Sequence, residues 1–155
     1  MILVTHILSG AVIGENLDNP WLIIPTAFLV HFALDALPHG EYINSFKKKL
    51  TFKNTWWKVG LDLFSGLFIV FLFIFWSGSD MVKIENILIG AFFSILPDFL
   101  NLLYWKFGFR FLKKIHNFHH WIHGSSRNME NNDWSLSNAK NDILISIISI
   151  TLLFI

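Results

Sequence analysis

Four of the chain's seven histidines fall within eight residues, at His116, His119, His120 and His123. If this stretch is helical, spacings of three, four and seven residues bring all four imidazoles to one face. Imidazole is the commonest protein ligand for zinc and suits its neighbours among the transition metals. The remaining histidines are His6, His31 and His39, and three aspartates, Asp35, Asp62 and Asp98, interrupt otherwise apolar stretches. His31 and Asp35 are four residues apart, so one helix would present a nitrogen and an oxygen ligand side by side. The candidate metal ligands are therefore His6, His31, Asp35, His39, Asp98, His116, His119, His120 and His123. Each alone has a plainer explanation. A single histidine in an apolar helix is more often a packed, hydrogen-bonded residue, and an Asp–His pair can simply join two helices.

The elements that must position these residues are apolar. The 155-residue chain is 54% hydrophobic and 15% charged, with mean hydropathy +0.52; a soluble domain carries about 25% charged residues. The apolar residues gather into runs, which points to an integral membrane protein. Net charge is +1 and gives no reason to expect a nucleic-acid partner. With no cysteine in the chain, disulfides, thiolate metal sites and cysteine nucleophiles are excluded. The N-terminus has neither a basic leader region nor a small-residue cleavage site, so it reads as retained.

The pattern predicts an all-α, integral membrane helical bundle of about four to five helices. It forms a single domain over 1–155 with a His-rich cytoplasmic segment at 110–125. Helices are expected over 1–14, 21–37, 57–76, 84–105 and 141–155. The first is only about 20 Å long and the last is also short for a full crossing. Pro25 falls in the first turns of the second helix, and Pro38 ends it just before His39. Trp56, Trp57 and Trp76 mark the interfaces of the third. Pro97-Asp98 should bend the fourth, with Asn101 one turn on. No glycine-rich phosphate loop, His-Glu-x-x-His motif or nucleophile elbow is present.

Lysine and arginine concentrate in 41–58 and 106–127, while the short loops 15–20 and 78–83 share one lysine. The positive-inside rule puts the two basic segments in the cytoplasm. His6 then lies near the start of helix 1, and His31, Asp35 and His39 near the end of helix 2. Asp62 lies near the start of helix 3, Asp98 near the end of helix 4, and the His-rich segment follows. All fall at one face of the membrane. Ionisable groups are expensive at such depths and are usually functional. Their convergence predicts a shared metal site.

The ordered set Thr5-His6, His31-x-x-x-Asp35-x-x-Pro38-His39, Pro97-Asp98 and the His-rich segment 116–123 resembles small prokaryotic membrane-bound metal-dependent hydrolases. These are akin to the LexA-binding, inner-membrane-associated hydrolase family. More remotely, the His/Asp helices are similar to those of zinc-dependent phospholipase C and its nuclease relatives. Here Phe99-Leu100-Asn101 follows Pro97-Asp98, where the family has a second Asp and a His. The His-x-x-x-Asp segment also precedes Pro97-Asp98 instead of following it. The resemblance implies a metal-dependent enzyme.

The ligand set exceeds the needs of one tetrahedral ion, so one or two divalent ions are expected, most simply zinc, with manganese or iron as alternatives. Two ions would be bridged by Asp35 or Asp98 and would suit phosphoester hydrolysis. Asp62 is the candidate general base, or an orienter of a histidine. Lys106, Arg110, Lys113 and Lys114 are candidates for holding an anionic headgroup; for any single one, a role as topology determinant or lipid anchor is the commoner explanation. The leading expectation is a membrane-bound phosphoesterase acting on a phospholipid or isoprenoid phosphate at the cytoplasmic interface of the cell membrane. The alternatives are a metal-binding transporter, whose ligands would spread through the bilayer, and a non-catalytic membrane protein with a closed structural metal shell.

Overall fold

The computed structural model describes residues 1–40, 56–124 and 135–155. These residues are helical with no strand. The α-helices are α1 (Leu3–Asn16), α2 (Pro20–Asp35), α3 (Trp57–Ser77), α4 (Met81–Phe107), α5 (Lys113–Ile122) and α6 (Lys140–Phe154), with a 3-10 turn at Arg110–Leu112 between α4 and α5. Among the described residues the six α-helices exceed the four to five expected, because the His-rich segment forms a helix of its own. The lysines 47–49 and Arg127 lie outside the described residues.

Local chemistry sets most of the ends. Asn19 accepts a hydrogen bond from Trp21 N at 3.0 Å, and Pro20 occupies the first turn of α2, where its missing N–H does no harm. The α2 helix stops at Asp35, two residues before its expected end. Pro38 disfavours helical backbone at Leu37, so His39 sits on a non-helical tail. Asp80 caps α4 through Lys83 N at 2.8 Å. Gly78 and Gly108 end α3 and α4 with φ of 61° and 67°, a left-handed conformation glycine adopts without steric penalty. Pro97 lies inside α4, which continues ten residues beyond it to Phe107.

Helix α1 is the hub, packed against α2, α3, α4 and α6. Ile7, Leu8 and Ala11 from α1 meet Ile87 and Ala91 of α4, Val70 and Phe73 of α3 and Leu153 of α6 in one buried cluster. The α1–α4 crossing is very close. A Cβ on Gly10 would run into Gly90 O, and one on Gly14 would run into Asn86 O. The Gly10-x-x-x-Gly14 spacing that permits this is a common device for apposing apolar helices.

The outer face of α3 is unusual. Phe64, Phe71 and Phe75 are 64%, 62% and 79% exposed, a continuous apolar surface of a kind soluble monomers rarely carry. At 21 and 27 residues, α3 and α4 are long and apolar enough to cross a membrane. The first turns of α1, α3 and α6 meet the last turns of α2 and α4 at one end of the bundle. At the other end, Lys83 of α4 donates to Glu15 O at 2.7 Å and to Asp18 Oδ1 at 3.0 Å.

Candidate metal centre

Asp35 is the focus of the site. It sits in the last residue of α2 and is fully buried. Its Oδ2 lies 3.0 Å from His31 Nε2, 3.0 Å from His119 Nε2 and 3.0 Å from His123 Nε2. Its Oδ1 lies 3.2 Å from His6 Nε2 and 3.0 Å from the Met1 nitrogen. The imidazole nitrogens also crowd one another. His119 Nε2 is 3.4 Å from His31 Nε2 and 3.0 Å from His123 Nε2. Asp98 joins from α4, its Oδ1 3.4 Å from His119 Nε2.

Hydrogen bonds alone do not account for this arrangement. His31 Nδ1 is 2.7 Å from Ser94 O. A carbonyl oxygen only accepts, so Nδ1 carries the proton and a neutral His31 has just a lone pair at Nε2. That lone pair faces an oxygen of Asp35, which is also an acceptor. A positive charge must stand between or beside them, either a second proton or a metal ion. A second proton on His31, with neutral His119 and His123 donating from Nε2, would crowd three N–H groups onto one carboxylate oxygen, with His119 Nε2 and His123 Nε2 only 3.0 Å apart. One divalent ion satisfies all three at once. Metal–nitrogen bonds of 2.0–2.1 Å in a tetrahedral shell give nitrogen–nitrogen edges of about 3.3 Å, close to the spacing between these rings. Ligand atoms of His31, Asp35, Asp98 and His119 all lie within 4.8 Å of one another, and so do those of Asp35, His39 and His123. The residues present therefore fit a metal ion.

The supports of these ligands come from all sides. Ser94 lies in the turn of α4 before Pro97, and Ser94 O fixes the His31 tautomer from there. His39 Nδ1 donates to Leu37 O at 2.7 Å, which leaves the lone pair on Nε2. Burial pushes the His39 imidazole down to about 3, and the amino group at Met1 acts in the same direction. It is thus neutral and able to ligate across the physiological range. Its tail is pinned by Asn141 Nδ2 donating to Pro38 O at 2.7 Å and by Gly40 N donating to Asn138 O at 3.1 Å. His6 stacks on His31 with ring centroids 4.2 Å apart. Phe118 of α5 packs edge-on to Phe32 of α2 at 4.9 Å, which holds α5 against the site.

The four histidines of α5 and its C-cap divide. His119 and His123 reach Asp35, whereas His116 Nδ1 donates to Asn101 Oδ1 at 2.6 Å and its ring stacks on Tyr104 at 4.3 Å. His120 is exposed, with its ring 6.0 Å from His116. Residues at these four spacings spread over about 100° of a helix, and only one edge of that arc meets Asp35. Burial lowers the His116 pKa, with His119 beside it adding to the shift.

Asp62, the candidate base from sequence, faces backbone instead. Its carboxylate accepts from Leu3 N at 2.6 Å and Val4 N at 3.1 Å, two of the amides that the start of a helix leaves unpaired. Asp142 of α6 takes a third, Ile2 N, at 2.9 Å. Negative charge is favourable at this end of a helix, so Asp62 and Asp142 anchor the turn that carries His6. Asp142 and Ser94 were not singled out from sequence. The signals were slight: an acidic residue bordering an apolar run, and a residue three before a proline. Lys106, Arg110, Lys113 and Lys114 are all exposed, around the α4–α5 junction.

Compared with family models, with characterised proteins and with solved structures, the chain matches none; the His/Asp cluster itself carries what can be concluded about function.

Proposed function

We propose that the protein is a multi-pass membrane metal-dependent hydrolase acting on phosphoester bonds of a lipid or lipid-linked phosphate at the cytoplasmic face. The observation that carries the reading is the lone pair of His31 Nε2 facing the Asp35 carboxylate amid two further imidazoles. Such an arrangement calls for a divalent cation, with zinc the simplest choice for a nitrogen-rich set. A divalent ion there would supply Lewis acidity towards a phosphoryl oxygen and lower the pKa of water.

Three features favour catalysis over a purely structural ion. The ligands gather at one end of the bundle and are not strung along its length, which argues against a transport path. Asp98 is 27% exposed and His123 is 16% exposed, so the cluster has an accessible edge among the described residues; a structural ion is normally enclosed. Finally, Lys106, Arg110, Lys113 and Lys114 surround the start of α5, an end already made positive by the helix dipole. This edge would draw an anionic headgroup from the cytoplasmic leaflet. Distribution of basic residues supports the cytoplasmic assignment, the apolar outer face of α3 supports a lipid surround, and the resemblance drawn from Thr5-His6, His31-x-x-x-Asp35 and Pro97-Asp98 points to the same chemistry.

The test is hydrolysis by detergent-purified, zinc-loaded protein offered anionic phospholipid vesicles and a polyprenyl phosphate. Release of phosphate or a phosphorylated headgroup is expected, abolished by chelation and restored by zinc. Metal-loaded protein that hydrolyses neither class would overturn the proposal.

A further inference from the structure

The cluster contains two overlapping ligand groups, and they share one residue. His31, Asp35, Asp98 and His119 form the first, while Asp35, His39 and His123 form the second. Asp35 Oδ2 stands 3.0 Å from histidines of both, His31 and His119 of the first and His123 of the second. A single tetrahedral ion has no room for the six side chains of the two groups. The two groups also come from different structural sources. The first joins α2, α4 and α5. The second needs the tail after Pro38, held in place by Asn141 and Asn138 of the α6 end. In that tail His39 donates through Nδ1 to Leu37 O and keeps Nε2 for ligation. Its ring meets His123 edge-on, centroids 5.0 Å apart.

We infer that the protein binds two divalent ions, with Asp35 as the bridging carboxylate. His31, Asp98 and His119 complete one position, and His39 and His123 complete the other. The inference rests on reading the cluster as a metal centre and deepens it by assigning ligands to each ion. Two ions at the spacing a single carboxylate permits, about 3.5–4 Å, are the arrangement that grips both the attacking and the leaving oxygen of a phosphoester. The second position has only three protein ligands, so it is the more open of the two and the one expected to exchange first.

The experiment is titration of the chelator-stripped full-length protein in detergent with zinc alone and, separately, with manganese alone. Bound metal is counted by elemental analysis, and manganese spin coupling is read by electron paramagnetic resonance. About two equivalents per chain are expected, with a spin-coupled manganese spectrum at saturation. His39→Ala should hold about one equivalent and give an uncoupled six-line manganese signal, and Asp35→Ala should lose both ions. Saturation of the wild-type protein at one equivalent, with an uncoupled signal, overturns the inference without recourse to any variant. Two coupled ions in a protein that hydrolyses nothing would leave this inference standing and remove the proposed activity. One ion in an active hydrolase would do the reverse.

Discussion

At the scale of single residues, position along 116–123 separates the histidines that reach Asp35 from those that do not. His119 lies 3.0 Å from Asp35 Oδ2 and is 2% exposed, whereas its neighbour His120 is exposed. His119→Ala should cut zinc affinity by at least about a hundredfold, because removing one ligand of a tetrahedral set leaves an incomplete shell. His120→Ala should leave affinity within about twofold of wild type, since its ring is exposed and lies beside His116, away from the buried Asp35. Competition with a chromogenic chelator measures both, and equal losses would show that the division of the four histidines is wrong. The sequence announced a histidine cluster but not this division. Spacing gives the face of a helix, and the direction of α5 relative to α2 is set by long-range packing such as Phe118 on Phe32. His31 and Asp35 were legible as a pair because both lie on one helix. That Asp35 would also collect His6, His119 and His123 depends on three helices meeting, which no local pattern encodes.

At the scale of elements, the first turn of α1 matters because it carries His6 and opens the helix around which the others pack. Its amides are satisfied by side chains from α3 and α6, so this cap is assembled only when the bundle is. Asp62→Asn tests the role of the carboxylate. The amide keeps one acceptor oxygen and loses the second bond and the charge. The cost is about 1–3 kcal/mol, seen as a lower melting temperature in detergent. Metal content and the hydrolysis rate of the folded fraction should stay within about twofold of wild type. A hundredfold fall in rate with metal and melting temperature intact would instead make Asp62 a general base. The sequence showed Asp62 as a buried charge calling for a cation, a metal or a proton, and the folded chain meets it with the backbone amides of Leu3 and Val4. Helix spans were legible to within a few residues because apolar runs, tryptophans and Pro38 mark them. The close α1–α4 crossing was readable in principle from Gly10-x-x-x-Gly14, but its partner Gly90 is eighty residues away, and only the folded chain pairs them.

At the scale of the whole molecule, polarity sorts the bundle from end to end. The start of α1, the end of α2, the end of α4 and α5 bring the histidines and Asp35 and Asp98 together at one end, beside the exposed basic residues of the α4–α5 junction. The far end holds Glu15, Asp18 and Lys83. About 31 Å of α3 lies between the two, roughly the hydrocarbon thickness of a bilayer. If the basic end is cytoplasmic, the proposed metal centre would draw on cytoplasmic metal and face the inner leaflet; if inverted, it would face outward and the proposed substrate pool would change. The chain contains no cysteine, so single cysteines can report this directly. Asp18→Cys replaces a side chain 90% exposed at the far end, and Lys114→Cys replaces an exposed one beside the site. In intact cells a membrane-impermeant maleimide should label Cys introduced at 18 and spare the one at 114, which becomes reactive only after permeabilisation. The opposite pattern would invert the topology and place the site outside. Labelling of both in intact cells would show that the bundle does not separate two compartments, and the exposed apolar face of α3 would then need a protein partner in place of lipid.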